Sequence, residues 1–212
     1  MIMKRYFIFI VVILTLFSCT SPKFMAGKRP GRNTFYFPPD TEKHDTLYPY
    51  GREDKLDTFT NQWYSKHLYT LKEPVLYNAG KDLEIYRFTY LPTSGQPLTF
   101  RIEKLDTIIT ITRSQTSGLG GYRAGHLKNT ETRKLTPKEF SAIAKNFTAS
   151  GFWSMPTHTE RGLDGEEWIL EGFVNGKYHV VTRWSPEYDL QSNQTFITLC
   201  LTFSGLYKSK QL

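Results

Sequence analysis

The chain has 212 residues, of which 39% are hydrophobic and 15% aromatic, and this is enough for one domain of ordinary size with a hydrophobic core. The formal net charge is +7, and the basic residues are spread along the chain instead of forming one stripe. That spread argues against nucleic acid as a partner, because nucleic-acid binders carry a basic face. The 13 tyrosines and 15 phenylalanines favour β-sheet.

The first residues have the layout of a leader for export. Lys4 and Arg5 precede an apolar run over residues 6–17, which is shorter than the roughly 20 residues that a transmembrane helix needs. The stretch 15–18 offers no small-x-small site for ordinary cleavage. Instead, a leucine three positions before Cys19 and a serine just before it resemble the lipobox of bacterial lipoproteins.

That resemblance implies a lipid anchor at Cys19. In lipoproteins a diacylglycerol is attached to the thiol, the peptide is cut before the cysteine, and the new amine is acylated, so residues 1–18 are the expected signal peptide. Each buried methylene contributes about 0.8 kcal/mol, and several acyl chains therefore hold such a protein stably on its membrane. Because Thr20 and not an aspartate follows the cysteine, the resemblance implies the outer membrane, on its periplasmic or its external face.

Residues 19–55 predict a flexible tether between this anchor and a domain. They contain five prolines and three glycines, mixed charges and no hydrophobic period, a composition that favours extended, solvated backbone. A linker alone does not need so many aromatic residues, and we expect some of them to lie on the surface of the domain. They are Phe35, Tyr36, Phe37, Tyr48 and Tyr50.

Residues 56–212 predict a single α+β domain, in which helices pack on an antiparallel sheet of about five or six strands. The strands are predicted from runs of β-branched and aromatic residues bounded by turn residues. A closing helix is predicted over about 194–207 from its apolar stripe. The predicted strands span 84–91, 98–104, 107–113, 127–133, 167–174 and 177–184.

Two further helices carry their own start signals. Asp57 predicts the N-cap of a first helix, which ends before Pro74. Thr136 and Glu139 form a capping box ahead of a second helix over 137–150, whose first position is a proline.

The Asn-Gly pair at 175–176 predicts a two-residue type I′ turn, because both central residues of that turn take positive φ. The turn sets the register of the hairpin that flanks it. Glu171 then points to the opposite face from His179 and Arg183. Neither face is purely polar, so we expect both to be at least partly covered. The predicted cross-strand pairs are Phe173–Tyr178, Glu171–Val180, Ile169–Thr182 and Trp168–Arg183.

The hairpin and the loops around it carry a specific set of short motifs. These are Phe-Trp-Ser-Met-Pro at 152–156, Gly-Leu-Asp-Gly at 162–165, Trp-Ile-Leu-Glu-Gly at 168–172, Tyr-His-Val-Val at 178–181 and Arg-Trp-Ser-Pro at 183–186. Together with the glycine-rich stretch 118–125, they resemble a family of uncharacterised bacterial proteins over most of residues 56–207. The resemblance implies a domain boundary near residue 56 and transfers no activity.

Four hairpin residues form the candidate binding set: Trp168, His179, Arg183 and Trp184. In a functional interpretation, Arg183 grips an anion with two hydrogen bonds and His179 exchanges a proton. In the structural interpretation, which the sequence favours, Arg183 stacks on Trp168 as a cation–π pair and His179 bonds to a neighbouring backbone.

The sequence predicts no catalytic motif, metal site or cofactor site. The glycine-rich loop lacks the Lys-Ser/Thr that completes a phosphate-binding P-loop. His158, Glu160 and Asp164 lie near one another but lack a metal-ligand spacing. Cys200 lies in an apolar stretch and is predicted to be a small core residue.

The sequence therefore favours a lipid-anchored protein of the bacterial cell envelope that acts as a non-enzymatic binding or envelope-assembly module. Its expected partners are the membrane, through the lipid, and an envelope protein or small ligand. The alternative is an envelope hydrolase or transferase that uses His179 with a carboxylate brought close by the fold. A pocket with His179 beside a carboxylate favours the enzyme, and an exposed aromatic patch at Trp153, Trp168 or Trp184 favours the binding module.

Overall fold

The central feature of the fold is one antiparallel sheet with helices on both faces, seen in a computed structural model that describes residues 30–39, 56–157 and 162–208. This arrangement confirms the predicted α+β class. The elements, in chain order, are α1 (Thr58–Thr70), β1 (Leu83–Pro92), β2 (Leu98–Leu105), β3 (Ile108–Thr116), β4 (Leu127–Lys134), α2 (Pro137–Ala149), β5 (Glu166–Val174), β6 (Lys177–Trp184) and α3 (Leu190–Lys208).

The sheet has the strand order β4-β3-β2-β1-β5-β6, and every neighbouring pair is antiparallel. The first four strands follow one another as a meander, and the β5–β6 hairpin then pairs with β1. As a result, β1 lies in the interior of the sheet although it is the first strand of the chain. All the predicted strands are present, with ends that differ from the prediction by up to a few residues.

The predicted N-cap residues of α1 and α2 are confirmed. The Asp57 carboxylate accepts a hydrogen bond from the backbone N–H of Thr60 at 3.0 Å. In the capping box of α2, the Thr136 hydroxyl accepts from the backbone N–H of Glu139, and the Glu139 carboxylate accepts from the backbone N–H of Thr136 at 2.7 Å. Each bond satisfies an N–H that the helix itself leaves unpaired, which is why the sequence marks these starts correctly.

The third helix begins at Leu190, earlier than the predicted start near residue 194. A 3₁₀ turn over Pro186–Asp189 leads directly into it. The Asp189 carboxylate accepts from the backbone N–H of Ser192 at 3.2 Å and so satisfies one N–H of the first turn.

The hairpin has the predicted register, with Phe173 opposite Tyr178 and Trp168 opposite Arg183. Asn175 has a φ of 52° and Gly176 a φ of 78°. Both residues are therefore left-handed, as a type I′ turn requires. This local pair of residues determines which side chains of β5 and β6 share a face.

One face of the sheet, which we call the apolar face, packs against α2 and α3. Its core is almost entirely aromatic and aliphatic, and it includes Phe88 of β1, Phe147 of α2 and Phe203 of α3. Cys200 is fully buried in this core, as predicted, and burial raises the pKa of its thiol well above the usual range.

The opposite face, which we call the polar face, packs against α1 and residues 30–39. Tyr36 and Phe37 are fully buried there, so two aromatic residues of the predicted tether belong to the core and do not lie on its surface. Burial is possible because α1 satisfies the backbone of this segment. Ser65 accepts from the N–H of Tyr36 at 2.9 Å, and Asn61 donates to the carbonyl of Phe37 at 3.0 Å.

Charged side chains are buried in the centre of the polar face. Arg87 of β1 donates two hydrogen bonds of 2.7 Å to the two carboxylate oxygens of Glu171 on β5, and a third of 2.7 Å to the carbonyl of Pro74. The side chains of Arg87 and Glu171 are both fully inaccessible to solvent. The Tyr178 hydroxyl donates to Glu171 at 2.9 Å, and burial, reinforced by that carboxylate, raises the pKa of the phenol.

Three more charged residues extend this pair across the sheet. Glu73, just after α1, accepts hydrogen bonds from Arg101 and from the Thr99 hydroxyl. Arg101 in turn lies 3.1 Å from the carboxylate of Glu103. We call the five charged residues, all buried, the buried ion network: Glu73, Arg87, Arg101, Glu103 and Glu171.

Removing Arg87 should destabilise the fold strongly, because Glu171 is then left as a buried charge without its main partner. We expect Arg87→Met to lower the free energy of unfolding by about 3–5 kcal/mol, measured by urea denaturation. The double variant Arg87→Met/Glu171→Met should recover part of this loss, because it removes both charges.

The matched control is Arg123→Met, which removes an exposed arginine and should change the free energy of unfolding by less than about 0.5 kcal/mol. Equal losses for Arg87→Met and the control would contradict a structural role for the pair.

Candidate functional site

The structure separates the four predicted binding residues. Trp168, His179 and Arg183 lie on the apolar face, whereas Trp184 lies on the polar face, because side chains alternate along a strand. Glu171 is also on the polar face, within the buried ion network, and is not available to a ligand. The four residues therefore do not form one site.

Trp168 is a core residue with only 4% of its surface exposed. Its ring centroid lies 5.3 Å from that of Phe88. The ring also packs edge-on against Tyr90, with the two centroids 5.9 Å apart. Its indole N–H donates to the Glu166 carboxylate at 2.8 Å. An exposed aromatic patch at this position is therefore ruled out.

His179 and Arg183 hold the segment after α2 against the sheet. His179 Nε2 lies 2.9 Å from the carbonyl oxygen of Met155, which confirms the predicted bond to backbone. Arg183 donates to the carbonyl of Pro156 at 2.7 Å, and its guanidinium lies over Phe196 of α3, 5.4 Å from the ring centroid. The ring shown beneath the Arg183 guanidinium is therefore Phe196 of α3, whereas the sequence analysis paired Arg183 with Trp168.

Trp184 lines an open cavity of about 270 Å³, which we call the aromatic cleft. One wall is α1, another is the glycine-rich loop between β3 and β4, and the third is the loop that precedes β5. Its aromatic and aliphatic lining includes Phe59, Trp63, Tyr122, Leu163 and Trp184.

The rim of the cleft is unusually apolar for a solvated surface. Phe59 is 60% exposed, Tyr122 is 61% exposed and Leu163 is 95% exposed. Phe59 and Trp63 are stacked, with ring centroids 6.1 Å apart and planes inclined by 19°. Contiguous exposed apolar groups of this kind mark binding surfaces in soluble domains.

Close backbone approach holds the glycine-rich loop beside β1. A Cβ at position 120 would lie 2.5 Å from the carbonyl carbon of Leu91, closer than atoms can approach, so only glycine fits there. The carbonyl of Gly120 accepts from the indole N–H of Trp63 at 3.3 Å, which joins this loop to α1. Likewise, a Cβ at Gly162 would overlap the ring of Trp184.

Several of these residues were missed as site residues by the sequence. Phe59 and Trp63 fit the apolar period of the first helix, and nothing in that period shows which of them face solvent. The glycines within 118–125 and 162–165 belong to recognisable sequence motifs, but their role in forming the cleft depends on which strands and rings they approach.

His67 lies behind Trp63, with ring centroids 5.8 Å apart, and is fully buried. Within the described residues, neither of its ring nitrogens makes a hydrogen bond of ordinary geometry. Burial, together with the positive charge of Lys66, lowers the pKa of His67 to about 4. The nearby backbone of Gly120 raises this pKa, but its effect is the smallest of the three. His67 is therefore neutral in the folded protein near pH 7.

This burial predicts a pH-dependent stability. The pKa of His67 in the folded protein, about 4, is below the ordinary value of 6.5. Between these pH values the unfolded chain therefore binds a proton on this histidine and the folded protein does not. Stability should therefore fall as the pH falls from about 6.5 to about 4, with a total contribution from His67 of roughly 3 kcal/mol. His67→Phe should flatten this part of the profile, measured by urea unfolding at a series of pH values.

The matched control is His126→Phe, which changes an exposed histidine and should leave the slope of the wild-type profile in place. If His67→Phe also leaves that slope unchanged, His67 is not the group whose titration produces it.

Neither a scan against protein-family models nor searches of curated proteins and of solved structures find a match to this chain. The resemblance stated from the motifs stays a prediction. Cys19, His158 and Glu160 lie outside the described residues.

No helix within residues 30–39, 56–157 and 162–208 is long and apolar enough to cross a membrane. No group of three or more histidine, cysteine, aspartate or glutamate side chains in the same ranges could hold a metal ion.

Proposed function

We propose that this protein is a lipid-anchored binding module of the bacterial cell envelope, and that its ligand enters the aromatic cleft. The anchor rests on the leader and on Cys19, which resembles the acylated cysteine of lipoproteins. The residue after it favours the outer membrane. The observation that carries the binding role is the open cleft that Trp63 and Trp184 both line and that has an exposed apolar rim.

Binding fits the geometry better than catalysis does. The histidine that would serve an enzyme, His179, has its Nε2 bonded to the Met155 carbonyl and its ring edge-on to Phe152 at 5.1 Å. It therefore has a positioning role in the fold. The aromatic cleft instead offers large, rigid rings with little side-chain entropy to lose, which is the usual chemistry of a binding hot spot.

The cleft is also held in shape before any ligand arrives. Trp63 is fixed by its bond to Gly120 and by its stacking on Phe59. The ring of Trp184 packs directly against the backbone of Gly162 and Gly165 and leaves no room for a Cβ at either position. A site whose rings are already ordered loses less entropy on binding, so more of the contact energy appears as affinity.

The lipid anchor can be tested directly by mass. The full chain expressed in a bacterium with a lipoprotein pathway should lose residues 1–18 and gain the mass of the acyl chains on Cys19. Cys19→Ala should abolish both changes and release the protein from the membrane fraction. Mass spectrometry of the purified product measures this, and an intact leader or an unmodified thiol on wild-type protein would contradict the anchor.

The binding role can be tested by photo-crosslinking in living cells. A photoreactive phenylalanine analogue at Phe59, on the rim of the cleft, should give one discrete adduct, identified by mass spectrometry. Trp184→Ala should reduce that adduct at least tenfold, because it removes a wall of the cleft. His179→Gln should leave it in place, since His179 lies on the other face of the sheet.

The matched control places the same analogue at Ile108, the first residue of β3, which is 54% exposed. An adduct at Ile108 in the same yield as at Phe59 would contradict the aromatic cleft as the binding site. So would an adduct at Phe59 whose yield does not change in Trp184→Ala. Loss of the adduct in His179→Gln alone would favour the enzyme.

A further inference from the structure

A second cavity, of about 1000 Å³, lies on the other flank of α1. It is bounded by residues 30–39, by α1 and the residues that follow it, and by the glycine-rich loop. We call it the basic cleft, because four cationic side chains line it: Arg32, Lys66, Lys72 and Arg123.

No aspartate or glutamate lines the basic cleft among the described residues. Within the same part of the chain, none of the four cationic side chains forms an ion pair with a carboxylate. Among residues 30–39, 56–157 and 162–208, no carboxylate therefore neutralises these positive charges locally. A cleft lined by one sign of charge focuses the electric field and attracts ligands of the opposite sign.

Lys66 is the most constrained of the four. Its ammonium group lies 3.6 Å from the ring centroid of Trp63, and partial burial lowers its pKa. The amine is thus held in place by an aromatic ring that supplies no hydrogen-bond acceptor. Its donors stay available to an anion in the cleft.

Lys72 occupies a backbone position at which glycine is normally preferred. The N–H of Glu73 donates to the carbonyl of Leu68 and the N–H of Lys72 donates to that of Tyr69, the pattern of a Schellman motif at the end of α1. Lys72 is the left-handed residue of this motif, with a φ of 63°. Here the chain accepts a strained backbone and gains a cationic side chain at the cleft.

We propose that the basic cleft is a binding site for a ligand that carries two or more phosphate groups. Arginine and lysine bind phosphate through charge-assisted hydrogen bonds, and the arginine fork matches two phosphate oxygens. Cations supplied from three separate segments can contact more than one phosphate. The volume is that of a pocket for a whole small molecule and not for a single ion.

This proposal stands on the basic cleft alone and does not need the aromatic cleft to bind anything. The two clefts nevertheless meet at Tyr122, which lines both of them. The same phosphate chemistry occurs in soluble phosphate esters and in lipid headgroups. The test below separates the two sources.

The test uses the full chain, purified in a neutral detergent, and calorimetric titration with inorganic pyrophosphate and with a short-chain cardiolipin, a lipid whose headgroup carries two phosphates. At least one of the two probes should bind. The probe with the higher affinity shows whether the ligand is a soluble phosphate ester or a lipid headgroup. Lys66→Gln/Arg123→Gln should weaken binding at least tenfold, and raising NaCl from 50 to 500 mM should weaken it too. The matched control, Lys138→Gln/Lys145→Gln on the exposed side of α2, should bind as the wild type does.

Lys72→Gly separates binding from folding. Glycine relieves the left-handed backbone, so the melting temperature should stay the same or rise, while affinity for the better probe should fall at least threefold. A weaker binder that is no less stable cannot be explained by misfolding.

Four results would overturn the proposal. The first is that neither probe binds. The second is that the α2 control weakens binding as much as Lys66→Gln/Arg123→Gln does. The third is that citrate, a carboxylate of comparable charge, binds as tightly as pyrophosphate. Loss of binding in Trp184→Ala with the basic cleft intact would also move the site to the aromatic cleft.

Discussion

The buried pair of Arg87 and Glu171 is the constraint on which the arrangement of the sheet depends. These residues face each other on β1 and β5, although 84 positions separate them in sequence. A register shift of one residue would turn one charge to the apolar face and leave both charges without a partner, at a cost of several kcal/mol. The pair therefore aligns the hairpin with the meander, and this alignment brings Trp184 level with Leu91 near the end of β1, with Glu167 of β5 between them.

The same network positions α1. Glu73 follows the end of that helix and is bound by Arg101 of β2, while the carbonyl of Pro74 accepts from Arg87. The C-terminal end of α1 is therefore tied to the centre of the sheet by charged groups that water does not reach. Because the aromatic and basic clefts lie on opposite flanks of α1, the placement of this one helix determines the shape of both.

The sequence predicts features that depend on neighbouring residues, and misses those that depend on distant ones. The Asn-Gly turn gives the whole register of the hairpin, and Thr136 with Glu139 gives the start of α2, because each signal is complete within a few positions. Such local signals cannot predict the pairing of Arg87 with Glu171. They also cannot predict that four cationic side chains converge on the basic cleft. The basic residues look dispersed along the chain, and only the fold gathers Arg32 and Arg123 at one cavity.

Trp63 lines the aromatic cleft and also contacts Lys66, which lines the basic cleft. Its indole N–H donates to Gly120, its ring stacks on Phe59, and Lys66 lies over that ring. The glycine-rich loop is thus attached to the side chain that also holds a cation of the basic cleft. A ligand that displaces Lys66 from the ring changes the environment of Trp63 and hence of the aromatic cleft. A coupling free energy between two sites requires a physical connection that both ligands affect, and the contact of Lys66 with Trp63 lies between the two clefts.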